Sequence, residues 1–188
     1  MHRYVLCIAI SAVVWIINGR WLAHAVRQRI ASEIYIHTGL GLFFTLLVVE
    51  LALGALRLWP RFDITWIQIF GFALYVPSAC LVIASFHALK SKGRPESADP
   101  TATTAFVDSG VYGIVRQPMT LGMAIWSVAL VLVFQSALAV ILGVVSLVCF
   151  WISAKRETEY NLSKFGEKYG GYMNKVPMWN ILRTLRKR

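Results

Sequence analysis

Residues 121–153 read LGMAIWSVALVLVFQSALAVILGVVSLVCFWIS and carry no charged side chain. As one straight helix the run would be roughly 50 Å long, against a bilayer hydrocarbon core of about 30 Å. Two spans joined by a tight turn fit that thickness, and the polar pair Gln135-Ser136 in the middle marks the turn. A hairpin returns the chain to the face it left, so the two flanks of the run meet. Before it stands Gly110-Val-Tyr112-Gly-Ile-Val-Arg116-Gln117-Pro118-Met-Thr120-Leu121-Gly122. After it stand Lys155-Arg156-Glu157-Thr158-Glu159 and then Phe165-Gly166-Glu-Lys-Tyr169. Two polar clusters punctuated by Gly and Pro, gathered at one membrane surface, have the character of an active site.

Composition agrees with a membrane setting. Apolar residues make up 57% of the 188-residue chain and charged residues 15%, and mean hydropathy is +0.61. The chain is too short for a separate soluble domain beside its apolar blocks. Those blocks run over residues 4–17, 34–55, 64–89 and 121–153. The first is followed by Asn18-Gly-Arg20-Trp21 rather than a small-residue cleavage site, so it reads as a span and not a signal core. We expect an all-α integral membrane protein, a single membrane domain over 1–188. Its five transmembrane helices fall at about 4–18, 34–56, 64–89, 119–134 and 137–154.

Cys7, Cys80 and Cys149 lie inside apolar blocks without any CxxC spacing. They read as small buried hydrophobes, and neither a disulfide framework nor a zinc site is indicated. The net charge of +10 sits beside the spans. It points to lipid headgroups rather than nucleic acid, and Arg183-Thr-Leu-Arg186-Lys187-Arg188 reads as a tail touching anionic lipid.

The charges also orient the chain. With five spans, residues 18–33, 90–118 and 155–188 share one side and hold sixteen Lys and Arg, whereas the other side holds three, Arg3, Arg57 and Arg61. A single long last span would give twelve to seven. The positive-inside rule prefers the first split, with the N-terminus outside and the tail in the cytoplasm. Trp21, Trp59, Trp66, Trp151 and Trp179 fall near span ends, as an aromatic belt would. Pro77 lies inside the third span and is expected to kink it. Glu50 is the one carboxylate deep in an apolar block. It is either functional or paired with Arg57 or the outer loop.

Residues 90–118 form a 29-residue loop, too long for a plain connector. Lys90-Ser-Lys92-Gly93-Arg94-Pro95 is a flexible basic turn, Pro100-Thr-Ala-Thr-Thr104 follows, and Val107-Asp108-Ser109-Gly110 is a second turn. Pro118 suits the first position of the fourth span, whose free amides would favour an anion. Beyond the fifth span, Leu162, Phe165, Tyr169, Tyr172 and Val176 form a helical stripe interrupted by Gly166, Gly170 and Gly171. That segment, 155–180, is either an amphipathic helix on the bilayer or a lid over the hairpin mouth.

These flanks, with an apolar hairpin between them, resemble the isoprenylcysteine carboxyl methyltransferase family, which includes small prokaryotic membrane methyltransferases and phospholipid N-methyltransferases. Gly110, Tyr112, Arg116, Pro118 and Gly122 match its first motif, and Glu159, Leu162, Phe165-Gly166, Tyr169, Tyr172 and Val176-Pro177 its second. Gln117 stands where the family has His or Asn, Thr120 where Tyr is usual, and Thr158 replaces the first Glu of a pair, with Glu157 shifted by one. The resemblance covers about residues 90–180.

The resemblance implies a prokaryotic cell-membrane enzyme that binds S-adenosyl-L-methionine, with S-adenosyl-L-homocysteine as product, in a cytoplasmic pocket made by the 90–118 loop and the C-terminal helix. No strand followed by GxGxxG offers a Rossmann alternative. It implies cofactor contacts from Tyr112, Arg116, Gln117, Pro118, Thr120, Leu121, Gly122, Glu159, Tyr169 and Tyr172. Arg156 would orient the acceptor and Glu159 would act beside it as the second catalytic residue. The acceptor would be lipophilic or membrane-embedded, foremost a prenylcysteine-like carboxylate, alternatively a phospholipid amine or a thiol. A carboxylate needs no general base, whereas a protonated amine does; the chain shows no obvious buried His for that job, and His87, at the end of the third span, is the only nearby candidate. The rival readings are an NADPH-dependent sterol-type reductase and a membrane adaptor without enzyme activity.

Overall fold

The computed structural model describes residues 2–94 and 104–180. Pro95, residues 100–103 and the Arg183–Arg188 tail, named above, lie outside them. Five helices follow in order: α1 (His2–Gln28), α2 (Ala31–Leu53), α3 (Thr65–Lys92), α4 (Pro118–Phe134) and α5 (Ala137–Lys175). Short 3-10 turns stand at Gly54–Leu56 and Gly110–Gly113. No strand occurs among the described residues. Four helices are long and apolar enough to cross a membrane. The fifth, α4, has 17 residues and is about 26 Å long.

Two boundaries differ from the sequence reading. Residues 18–33 are not a loop: α1 continues to Gln28, and Arg29 and Ile30 alone turn the chain. Asn18 is accommodated by donating its side-chain amide to the Val14 carbonyl (3.0 Å), and the apolar pattern continues to the buried Ala25. Nor does α5 stop with its apolar part at Ala154. It continues to Lys175, broken at Gly166 (φ 56°, ψ −137°) and not at Gly170 or Gly171. That backbone conformation is open to glycine and strained for other residues.

The helices form a row in the order α3, α4, α5, α2, α1. Each seam has a glycine where backbones approach. Gly122 faces Ser78 and Val82 between α4 and α3, and Gly143 faces Val131 between α5 and α4. Gly39 faces Phe150 between α2 and α5, and Gly41 faces Trp15 between α2 and α1. Lipid tails are as apolar as leucine, so close packing of small residues, rather than hydrophobic burial, holds such seams together. Phe43, Leu46, Leu130 and Phe150 fill the centre.

Gln135 and Ser136 separate α4 from α5, and the loop between α2 and α3 clasps them. Arg61 donates to Glu50 Oε2 (3.1 Å), to the Gly54 carbonyl (2.9 Å) and to the Phe134 carbonyl (3.2 Å). Trp59 Nε1 and the Ser136 hydroxyl donate to Glu50 Oε1. The Gln135 side chain pairs with the Ile64 backbone in both directions. Glu50 therefore pairs with Arg61, while Arg57 reaches Asp63 (2.8 Å) at the surface. Trp59 turns inward to this clasp instead of standing in a belt. Cys80 is exposed on the outer surface of α3, unlike the buried Cys7 and Cys149.

Candidate functional site

The opposite end of the bundle gathers the end of α1, the start of α2, the end of α3, the start of α4 and the later part of α5. Together they enclose a cavity of about 810 Å³. α2 and α3 are not neighbours in the row, yet Ile36 and Leu40 of one and Phe86 and Leu89 of the other line the same space.

Two strands of contact build the mouth. The segment after α5 runs back along the residues before α4: Arg116 N–H donates to the Pro177 carbonyl (2.9 Å) and Gln117 N–H to Met178 (3.4 Å). Trp179 Nε1 donates to the Thr120 hydroxyl (3.4 Å), which donates in turn to the Gln117 carbonyl (3.2 Å). The break at Gly166 folds the last turns of α5 over, so that the Tyr172 hydroxyl donates to the Tyr112 carbonyl (2.5 Å). Phe106 packs edge-on against Tyr169 and Tyr172, with Phe165 beside it. The last turns of α5, the segment after it and the start of α4 are thus joined.

Arg116 is half-buried here, and its Nε and Nη1 are shielded from solvent with no hydrogen-bond partner in the described structure. Glu157 lines the same cavity from α5, within hydrogen-bonding reach of the Asn161 and Gln117 side chains. Burial outweighs those bonds and pushes the Glu157 carboxyl up to about 7. The apolar part of α5 ends at Ala154, so Glu157 stands beyond the span, in the mouth. Burial also raises the Tyr112 phenol, and the nearby Glu157 raises it further.

Of the residues expected from sequence, Tyr112, Arg116, Gln117, Thr120, Tyr169 and Tyr172 line the cavity. Pro118, Leu121 and Gly122 do not. Pro118 opens α4, Gly122 packs on α3, and Leu121 lines a small apolar groove on another side of α4. Consecutive helical residues point 100° apart, so a contiguous motif cannot all face one ligand. The same geometry separates the acidic cluster. Ser153, Glu157, Asn161 and Lys164 form the inward stripe of α5. Arg156 and Glu159 face outward, exposed and paired with each other (2.9 Å). The carboxylate in the cavity is Glu157, not Glu159, and its spacing of four from Ser153 and Asn161 was the available signal.

Sequence reading also missed the first two helices. Trp21, Glu33 and His37 line the cavity, with Trp21 stacked on the His37 ring (centroids 5.9 Å apart, planes 11° apart). His87 is exposed and outside it. Half of the amides at the start of α4 are engaged. Gln117 N–H bonds Met178 and Leu121 N–H bonds Gln117, which leaves those of Met119 and Thr120.

No curated protein and no solved structure matches the chain. The family described as Phospholipid methyltransferase matches residues 66–168, from the start of α3 to just past the break in α5. That segment is more than half of the chain and contains the hairpin, the Gly110–Gly122 cluster and Glu157. The all-helical fold with its spanning helices agrees with the match, and the chain belongs to the phospholipid methyltransferase family of membrane methyltransferases.

Proposed function

We propose that the chain transfers a methyl group from S-adenosyl-L-methionine to an amphiphilic lipid acceptor at the cytoplasmic face of the membrane. In this reading it spans the bilayer five times with its N-terminus outside, and α4 is the shortest span. One observation carries the proposal: a single cavity has a guanidinium with two shielded, unpartnered nitrogens and a carboxylate at its mouth and apolar helix faces deeper in.

The residues fit the cofactor. Arg116 Nε and Nη1 offer paired donors to its carboxylate. Glu157 suits its ammonium group, and the faces of Tyr169, Tyr172 and Phe106 suit a sulfonium or a flat base. When bound, the cofactor supplies an electrophilic methyl group. The protein's part is to hold the acceptor in line with it and to exclude water. The gap between α2 and α3 gives the acceptor a route from the bilayer, its chain along Ile36, Leu40 and Phe86.

The family match favours a phospholipid amine as acceptor over a prenylcysteine-like carboxylate. Arg156, expected to orient an anionic acceptor, lies outside the cavity. Calorimetric titration of the detergent-purified protein with S-adenosylhomocysteine and, separately, NADPH tests the reading. Saturable binding of the first and none of the second is expected. Binding of NADPH alone moves the case to a reductase, and binding of neither to an adaptor.

A further inference from the structure

The wall that α1 and α2 give to the cavity lies before residue 66, outside the family-matching segment. Ser153 of α5 donates to the Ser32 carbonyl of α2 (2.8 Å), which levels the two antiparallel helices. From that level Glu157 lies one turn, about 6 Å, toward the mouth, and His37 lies five residues, roughly 8 Å, into the bundle. The middle of the cavity, between the two, is where the reacting methyl group has room. His37 thus stands at the inner pole, among Ile36, Leu40 and Met123, with Trp21 against one face of its ring. Glu33 is one turn before it on the same face of α2.

We propose that His37 is the proton acceptor for an amine-bearing amphiphile at this inner pole, with Trp21 fixing its ring and Glu33 holding the imidazolium that forms. The assignment rests on the methyltransferase reading. An alkylammonium has no lone pair and cannot attack until it loses a proton. In the cavity, desolvation and the like charge of a sulfonium both favour that loss. The N–H proton passes to the neutral His37 ring. The freed lone pair forms the C–N bond to the methyl carbon, and the C–S bond breaks with its electron pair left on sulfur. The imidazolium returns its proton to water after the product leaves. The other charged groups on the wall are Arg116, Glu157 and Lys164, all nearer the mouth.

Two experiments on the detergent-solubilised full chain test this. Dodecyltrimethylammonium, which carries no N–H, should protect His37 but not His87 from carbethoxylation, read by peptide mass spectrometry without any cofactor. His37→Gln should then bind S-adenosylhomocysteine within twofold of wild type, yet methylate dodecylamine about 100-fold more slowly. On a β,β-difluorinated long-chain amine, which is largely unprotonated at mildly alkaline pH, it should approach the wild-type rate. Equal loss on both amines, no loss on either, or no protection of His37 overturns the proposal. So does a wild type that binds S-adenosylhomocysteine but methylates neither amine. A wild type that does not bind S-adenosylhomocysteine overturns the methyltransferase reading, and this assignment with it.

Discussion

Glu50 of α2 and Arg61 of the following loop form a buried ion pair, 3.1 Å apart, that holds the α4–α5 turn at the end of the bundle farthest from the cavity. Removing one member leaves the other charge buried and uncompensated, which costs about 3–5 kcal/mol. Arg61→Met should therefore lower the midpoint of thermal unfolding in detergent strongly, and Glu50→Gln likewise. The double variant should lose less than the sum of the singles. S-adenosylhomocysteine affinity of whatever remains folded should be unchanged, because neither residue lines the cavity.

Glu157 gives a pH dependence with a defined sign. Its carboxyl is raised to about 7 in the empty protein, so near neutrality it is only partly ionised. A cofactor ammonium binds the ionised form. Affinity for S-adenosylhomocysteine should rise with pH through 7 and level off above it. Glu157→Gln should bind at least tenfold more weakly at pH 8 and lose that slope. The linkage to folding has the opposite direction: a raised carboxyl binds its proton more tightly folded than unfolded. Its contribution favours folding below about pH 4.3 and is lost as pH rises through 7. Thermal unfolding of Glu157→Gln against wild type at pH 5 and 8 checks this.

Arg156 and Glu159 pair on the exposed face of α5. Exposed pairs contribute about 0.2–1 kcal/mol. Glu159→Gln should leave S-adenosylhomocysteine affinity within twofold and the unfolding midpoint nearly unmoved. A tenfold loss of affinity would return the carboxylate of the site to Glu159.

Gly166 stands at φ 56°, ψ −137°, and the turn it makes brings Tyr169 and Tyr172 over the mouth. Gly166→Ala should cost on the order of 1–3 kcal/mol and weaken S-adenosylhomocysteine binding together. Gly171→Ala is the control. That glycine is helical with open space around its Cβ position, so the change should be neutral or slightly stabilising.

How much of this was legible in sequence follows from the kind of signal each part leaves. The hairpin was readable because length and hydropathy fix it, and Gln135-Ser136 was the sole polar pair placed to turn it. Residues 18–33 misled because Asn18, Gly19 and Arg20 look like a loop, although helices carry such residues where Asn18 can bond back to Val14. At the site, motif matching names residues in a row, whereas a helix shows a cavity every third or fourth one. Hence Thr120 and Glu157 line it while Leu121, Gly122 and Glu159 do not. Trp21, Glu33 and His37 left no motif: they reach the cavity because α2 lies beside α5 and not beside α3, and no local pattern encodes a neighbour across the row. Of the five tryptophans near span ends, Trp21, Trp66 and Trp151 are exposed, while Trp59 and Trp179 donate to Glu50 and Thr120.

The row order bears on biosynthesis. α5 comes last along the chain but lies at the centre, between α4 and α2. During insertion the first four helices have no common partner: α1 can pair with α2 and α3 with α4, but the two pairs share only a slight direct contact. The arrival of α5 joins them and at the same moment completes the pocket wall with Ser153, Glu157 and Asn161. A chain without α5 thus holds only separate parts of the cavity wall, and assembly of the fold and closure of the cavity become a single event.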